Sequence, residues 1–455
     1  MPRNCSSESP LLRFVIALGF GLFCSAGSAW SADFLCVYQL AEQNDPTLQS
    51  ARYAYQAAAE KLPQAKAGLL PVLTINGNGS QARNNVEFPG VPPVSRPNRT
   101  WAWTVQVTQP LIRIANLYAY SEAEGIVAQA EAQYHLAEQS LILRVAQAYF
   151  DVNVAQESIV AADAQLRATE EQMAQAQHGF KDGTVAITDV HEAKSRMESA
   201  RAQRIAALND LQAKRAALEQ IVGPLPEQLA GLRDDAYITP PAPQNALEWS
   251  DLARHNNPSV YAQEAVLATA EATIKRNRAE HLPTLDLVGS YGDNSSSSSV
   301  SNPVNYAERY KSGQIGLQLS IPIYSGGLVN SRVKEAIANR YKAEADLEVA
   351  RRQAATDARV AYAGVINGLS QIDALQVAID SGKSAVQGNQ IGYKVGIRIN
   401  LDVLTSQQQL YTAQRDYVKA RYDTLLQGLK LKAAAGTLSP SDVLDINSLF
   451  ISSRH

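Results

Sequence analysis

The sequence of 455 residues contains six histidines, and one of them opens a possible zinc signature, His191-Glu192. A metalloprotease helix needs a second His four positions after the first, so that two imidazoles share one helix face with the Glu as base. Position 195 is Ser195, and the pattern fails. No Gly-x-Ser-x-Gly elbow presents a serine nucleophile, and no Walker loop could cradle phosphates. The chain reads as no enzyme, with no cofactor, no metal and no ATPase machinery of its own. What remains are polar side chains after two short glycine-containing stretches: Thr188 and Asp189 follow Gly183, while Tyr393, Arg398 and Asp402 surround Gly396. Their chemistry is linkage. An Arg fork can hold a carboxylate in two directions, and Tyr adds a donor. Asp189 and Asp402 read equally as helix N-terminal caps, and Arg398 as a solvated loop charge.

Long helices carry these residues. From Arg113 to Gly179 no proline occurs and the only interior glycine is Gly125, with Ala, Gln, Glu and Leu dominating. One helix of about 67 residues, near 100 Å at ~1.5 Å per residue, is expected. Its counterpart runs from Ser325 to Gly392. A glycine-containing turn follows each, then a helix over about 187–222 or 401–435, and each half also opens with a helix, about 37–67 and 249–281. The two shorter helices of the first half together match the long one, which suggests end-to-end stacking beside it. Leu404, Tyr411, Val418 and Leu425 are spaced by seven, the period of knobs-into-holes packing.

The two halves are an internal repeat. Asn44-Asp45-Pro46-Thr47-Leu48 returns as Asn256-Asn257-Pro258-Ser259-Val260, 212 positions on, and Leu70-Pro71 as Leu282-Pro283. Phe180-Lys181-Asp182-Gly183 with Asp189-Val190 returns as Tyr393-Lys394-Val395-Gly396 with Asp402-Val403, one residue further. Pro and Gly positions agree where an Ala-rich composition would not force them, so two equivalent units are expected, 33–223 and 246–436. A proline-rich linker, 224–245, separates them, and 437–455 is a short irregular tail.

Between the opening and long helices lies a β-hairpin in each unit, 71–111 and 283–324, followed by the helical hairpins 113–222 and 325–435. Trp101, Trp103, Val105 and Val107 alternate with Ala102, Thr104, Gln106 and Thr108; Ile315, Leu317, Leu319, Ile321 and Ile323 alternate with Gly316, Gln318 and Ser320. Val86 to Arg99 reads as a turn-rich connection with its four prolines, and Ser295 to Ser299 with Asn302 and Pro303 as the second loop. Strands of about ten residues with one apolar and one polar face suit a bilayer crossing. Two hairpins packed on helices in a soluble domain would show the same alternation. Four strands cannot close, because open edges leave N–H and C=O groups unpaired in hydrocarbon and membrane barrels need at least about eight. Several copies would have to share one barrel.

The formal net charge of -3, with both signs mixed throughout, offers no basic stripe for nucleic acid. Arg3 and Arg13, the apolar run Phe14 to Cys24 and the small residues Ser25 to Ala29 read as a secretory signal peptide, 1–29, with 32 the alternative end. Cys5 and Cys24 lie in that leader, so Cys36 would be left without an internal disulfide partner in a fold held by packing.

The order and spacing of Asn44-Asp45-Pro46, Gly183-Thr184-Val185-Ala186-Ile187-Thr188-Asp189-Val190, Leu282-Pro283-Thr284-Leu285, Pro322-Ile323-Tyr324-Ser325-Gly326-Gly327 and Gly392-Tyr393-Lys394-Val395-Gly396 resemble the TolC family of outer-membrane channels over essentially the whole chain after the leader. The resemblance implies an α+β membrane protein: a homotrimer with a 12-stranded β-barrel in outer-membrane lipid and an antiparallel coiled-coil tunnel in the periplasm. It implies a passive exit duct for efflux or type I secretion, working with a periplasmic adaptor and an inner-membrane pump of the RND or ABC type. It makes the helix–helix turns the periplasmic gate, closed by links at positions matching Thr188, Asp189, Tyr393 and Arg398, and places an acidic ring at Asp402, whose second position here is Thr405. An exported structural coiled-coil protein without a pore is the alternative reading.

Overall fold

The computed structural model describes residues 32–226 and 228–451, so the expected leader ending at Ala29 lies outside the described residues. The described chain runs α1 (Phe34–Asn44), α2 (Pro46–Ala59), α3 (Lys61–Ala67), β1 (Val72–Phe88), β2 (Val91–Ile112), α4 (Ile114–Lys181) and α5 (Ile187–Val222). It continues as α6 (Ala246–Asn256), α7 (Pro258–Ala279), β3 (Thr284–Ser296), β4 (Glu308–Ser320), α8 (Leu328–Lys394), α9 (Asn400–Ala434) and α10 (Pro440–Asn447). The long helices α4 and α8 hold 68 and 67 residues, each about 100 Å from end to end.

The opening helices are not continuous, as the sequence suggested, but break at the repeated Asn-Asp/Asn-Pro. Pro46 and Pro258 begin α2 and α7, where a missing N–H costs nothing. The residue before each proline caps the helix: Asp45 accepts from the Leu48 N–H at 2.9 Å and Asn257 from the Ser259 N–H at 2.8 Å. The break is also where short helices meet end to end. The Asn44 side chain donates to the last carbonyl of α5, Val222, at 3.0 Å, and Asn257 donates to Ala434 at 2.8 Å.

The helices form a wall four abreast. In the half nearer the sheet α2 and α3 flank α4, then come α7 and α8; in the far half α5 flanks α4, then come α9 and α8. Close approach depends on small residues. A Cβ at Gly125 would lie 2.2 Å from Thr269 Oγ1, and one at Gly368 would lie 2.3 Å from Thr424 Oγ1. At mid-height the wall is thickened by α1, α10 and the two irregular segments. Phe34, Tyr149, Phe150, Tyr422 and Phe450 pack there with ring centroids 5.4–6.4 Å apart. Bridges Ala32–Leu229 and Leu232–Phe450 bind linker and tail, and Tyr149 Oη donates to the Ala230 carbonyl at 2.8 Å. Each buried ring contributes roughly 2–3 kcal/mol of transfer free energy, which anchors α1 and the segment around Phe450 to the middle of the wall.

The four strands form one antiparallel sheet in the order β1-β2-β3-β4. One expectation fails here: Val86 to Arg99 is not a loop. β1 and β2 continue as a two-stranded ribbon, with Arg83 opposite Pro97 and Val86 opposite Val94, and turn only at Pro89 and Gly90, whose φ is +80°. β3 pairs with β2 only from Thr100 inward. Beyond that point β2 has a free edge among the described residues, and Pro93 and Pro97, which face that edge as Arg99 does, are tolerated because no third strand needs their N–H groups, while Pro92 falls at the register shift between Val86 and Phe88. Arg96 fixes the β3–β4 loop to this ribbon, donating from Nη1 to the Ser299 and Asn302 carbonyls at 2.7 Å each and from Nη2 to that of Pro303. β4 ends at Ser320, so Ile321 and Ile323 lie past the sheet.

Candidate functional site: the helix-hairpin tip

The α4–α5 and α8–α9 turns repeat one geometry. In the first, Gly183 takes φ +71° and the Thr184 N–H returns to the Gly179 carbonyl at 2.8 Å. In the second, Gly396 takes φ +76° and the Ile397 N–H returns to the Gly392 carbonyl at 2.9 Å. Positive φ explains Gly183 and Gly396. Gly179 and Gly392 have a different cause, since a Cβ would come within 2.5 Å of Val185 Cγ2 in one and 2.7 Å of Arg398 Cγ in the other. The second glycine therefore makes room for Arg398.

Of the five residues singled out in the sequence, two come together. Arg398 Nη1 stands 3.7 Å from Asp402 Oδ2, one turn along, with both side chains partly exposed. Thr188 is exposed and Asp189 half-buried. Neither aspartate is an N-cap: the caps are Ala186 and Ile399, with no side-chain cap bond, and Asp189 and Asp402 sit in the first turn, where a carboxylate suits the helix dipole. Tyr393 is half-buried and Thr405 exposed. The contacts near the turns come from residues that no motif flagged. Arg196 on α5 donates to Gln408 Oε1 on α9 at 3.2 Å and joins the two hairpins, while within the second hairpin Asn389 Nδ2 donates to the Asp402 carbonyl at 3.3 Å. Gln165, Thr169, Gln203, Leu404 and Gln407 line a small cavity between α4, α5 and α9. The excess of glutamine was the one trace of this polar layer in the sequence.

A tip of this kind, a wall of paired helices and a small sheet with an apolar face form one architecture, and comparison with known proteins says which. The family model described as "Outer membrane efflux protein" matches the chain twice, at residues 37–224 and 249–437. The chain belongs to that family. It is an outer-membrane channel protein of the efflux and secretion kind, and its relatives are channel proteins, not enzymes. It is 32% identical over 441 residues to the outer membrane protein TolC of Vibrio cholerae, covering 96% of this chain and 98% of that protein. It is 31% identical to the proteases secretion protein PrtF of Dickeya chrysanthemi, over 96% of this chain and 95% of that one. Among solved structures, the CmeC outer membrane channel of Campylobacter jejuni superposes with a TM-score of 0.78 at 18% identity, over 98% of this chain and 97% of that one. Its fold is therefore that of the outer-membrane efflux channels.

Proposed function

We propose that three copies of the chain close a 12-stranded barrel and a helical tunnel, forming a passive exit duct with no catalytic step. One observation carries this reading: β1 and β4 each have one sheet edge without a partner strand among the described residues. Leu73, Ile75, Trp101, Ile315, Leu317 and Leu319 on the same sheet are exposed. An open edge leaves N–H and C=O groups unpaired in lipid, whereas an apolar face is stable against hydrocarbon and not against water; copies joined β4 to β1 close the edges and leave the apolar face to the lipid. The helical wall has the same polarity, with α8 on one flank and α2, α3 and α5 on the other. Tyr341, Val349, Val360 and Val377 are exposed on α8, as are Tyr53 and Ile205 on the opposite flank. Cyclic symmetry would bury one flank against the other.

At the tip, Thr188, Asp189 and Tyr393 make no side-chain hydrogen bond among the described residues, which suits links completed by a neighbouring copy, with Arg398 as the fork. Such links are few and wet, so docking of a periplasmic adaptor and an inner-membrane pump of the RND or ABC type could open them at modest cost. Asp402 would ring the tunnel mouth. The purified protein in a lipid bilayer should conduct ions, and sedimentation in detergent should give a trimer. A stable monomer without conductance would refute the reading.

A further inference from the structure

The four strands contain five basic residues, Arg83, Arg96, Arg99, Arg309 and Lys311. Strand register assigns each to a face. Leu73 lies opposite Val107, Ile75 opposite Val105, and Trp101 opposite both Gly79 and Ser295; Tyr291 lies opposite Val105 and Gly313, and Ile315 opposite Gly289. These residues share the apolar face. Following the same alternation outward, Gln81 meets Arg99, Arg83 meets Pro97, Ser295 meets Arg309 and Asp293 meets Lys311. Four of the five cations therefore stand on the apolar face, and only Arg96 stands on the other.

Their height is as telling as their face. From Leu111 to Trp101 is ten steps along β2, about 33 Å of strand and roughly 25 Å of height at barrel tilt, which is the thickness of an outer-membrane apolar band. Trp101, Trp103 and Tyr291 close that band, as aromatic girdles do. Arg99 is the next residue beyond Trp101 on this face, and Arg309 is level with Ser295, the partner of Trp101. The acids here are Asp293, which Arg309 grips at 2.6 Å, and Glu87 at the ribbon tip. Arg83 and Arg99 are exposed and have no carboxylate in salt-bridge range among the described residues.

We propose that Arg83, Arg99, Arg309 and Lys311 form a belt that binds the phosphate groups of a phosphorylated glycolipid in the outer leaflet around the barrel. Arg forks match phosphate geometry, and basic residues at a membrane surface attract anionic headgroups. Continuity with the lipid face selects a lipid over a soluble anion, because the cations stand at and beyond the Trp101 and Trp103 girdle that closes the hydrocarbon band. Closure of β4 on the next copy's β1 would set Arg309 and Lys311 beside Arg83 and make the belt continuous. The inference thus rests on the barrel reading, although all four residues lie on one chain's sheet.

The test is native mass spectrometry of the intact protein in detergent, titrated with bisphosphorylated lipid A and with the same lipid stripped of both phosphates. The phosphorylated lipid should be retained at least tenfold better. The combined variant Arg83→Gln, Arg99→Gln, Lys311→Gln, which leaves the Arg309–Asp293 pair intact, should lose that difference while still inserting into bilayers and conducting. If it fails to insert, the charge-conserving Arg83→Lys, Arg99→Lys variant must insert and keep the preference. Equal retention of the two lipids, an unchanged combined variant, or displacement of the lipid by millimolar inorganic phosphate alone would overturn the proposal. Wild type that never inserts would instead refute the barrel reading.

Discussion

The Arg113 guanidinium lies fork to fork on the Asp286 carboxylate, Nε to Oδ1 at 2.8 Å and Nη2 to Oδ2 at 2.6 Å, joining the residue before α4 to the base of β3. The carboxylate is buried while the guanidinium is partly exposed. Removing the Arg leaves a buried charge unpaired, so Arg113→Ala should cost about 3 kcal/mol and loosen sheet from wall. The double variant Arg113→Ala, Asp286→Asn should recover much of that loss. Thermal unfolding in detergent across the mutant cycle checks this, and a double variant that loses the sum of the two single losses would mean the pair is not coupled.

Asp45 shows how far the two halves have diverged. It is buried, and desolvation pushes its carboxyl up, but the Arg144 bonds at 2.6 and 3.3 Å and the Leu48 N–H pull it down further, so the net shift is below the ordinary carboxylate range. A depressed folded value stabilises the fold fully above the unfolded carboxylate pKa of about 3.9, and that stabilisation is lost as pH falls through the folded value. Asp45→Asn should therefore lower stability by about 1–2 kcal/mol at neutral pH, with the gap to wild type closing in acid. Unfolding curves from pH 7 to 3 measure it, and a gap independent of pH would contradict the assignment. The equivalent position is Asn257, which donates to Ala434 itself; Asp45 cannot donate, and Asn44 holds Val222 instead.

Gly125 permits α4 to touch α7 at Thr269, whose Oγ1 would stand 2.2 Å from an added Cβ. Gly125→Ala should force the helices apart and cost about 1–3 kcal/mol, despite the better helix propensity of Ala. Thr269→Ala in the same chain removes the clashing oxygen and should restore most of the loss. If Gly125→Ala alone raises the unfolding temperature, the contact is not limiting.

Periodicity and punctuation made most of this fold legible. The absence of proline between Arg113 and Gly179 gave α4, and Asn44 with Asn256 gave the repeat. The ribbon over 86–99 was not legible, because prolines mark turns unless a free sheet edge removes the need for their N–H groups, and that edge exists only once β3 has ended. The tip was half legible. Gly183 and Gly396 signal positive φ by type alone, whereas the Arg196–Gln408 link joins residues from different halves and leaves no local pattern.

Arg398 and Tyr393 are expected to hold the tip closed. An exposed link of the Arg398–Asp402 kind contributes about 0.5 kcal/mol, so across three copies its loss favours the open state by about 1.5 kcal/mol, roughly tenfold. Arg398→Ser, and to a lesser degree Tyr393→Phe, should raise single-channel conductance or the open fraction without changing thermal stability. Conductance unchanged in both variants would remove these residues from the gate.

On the tunnel reading proposed above, Asp402 has a second consequence, for the passing ions. It lies in the first turn of α9 beside Arg398, which neutralises part of its charge at 3.7 Å, and the position that would carry a second ring of charge holds the uncharged Thr405. On that reading the ring holds one carboxylate per chain, and the cation preference should be mild and fall steeply with salt, since these side chains are screened within about 10 Å at 0.1 M. Asp402→Asn should shift the reversal potential in a salt gradient toward zero, whereas Arg398→Ser, which unmasks the carboxylate, should shift it the other way. Opposite signs would identify Asp402 as the selective charge, and a potential identical to wild type in both variants would place it outside the ion path.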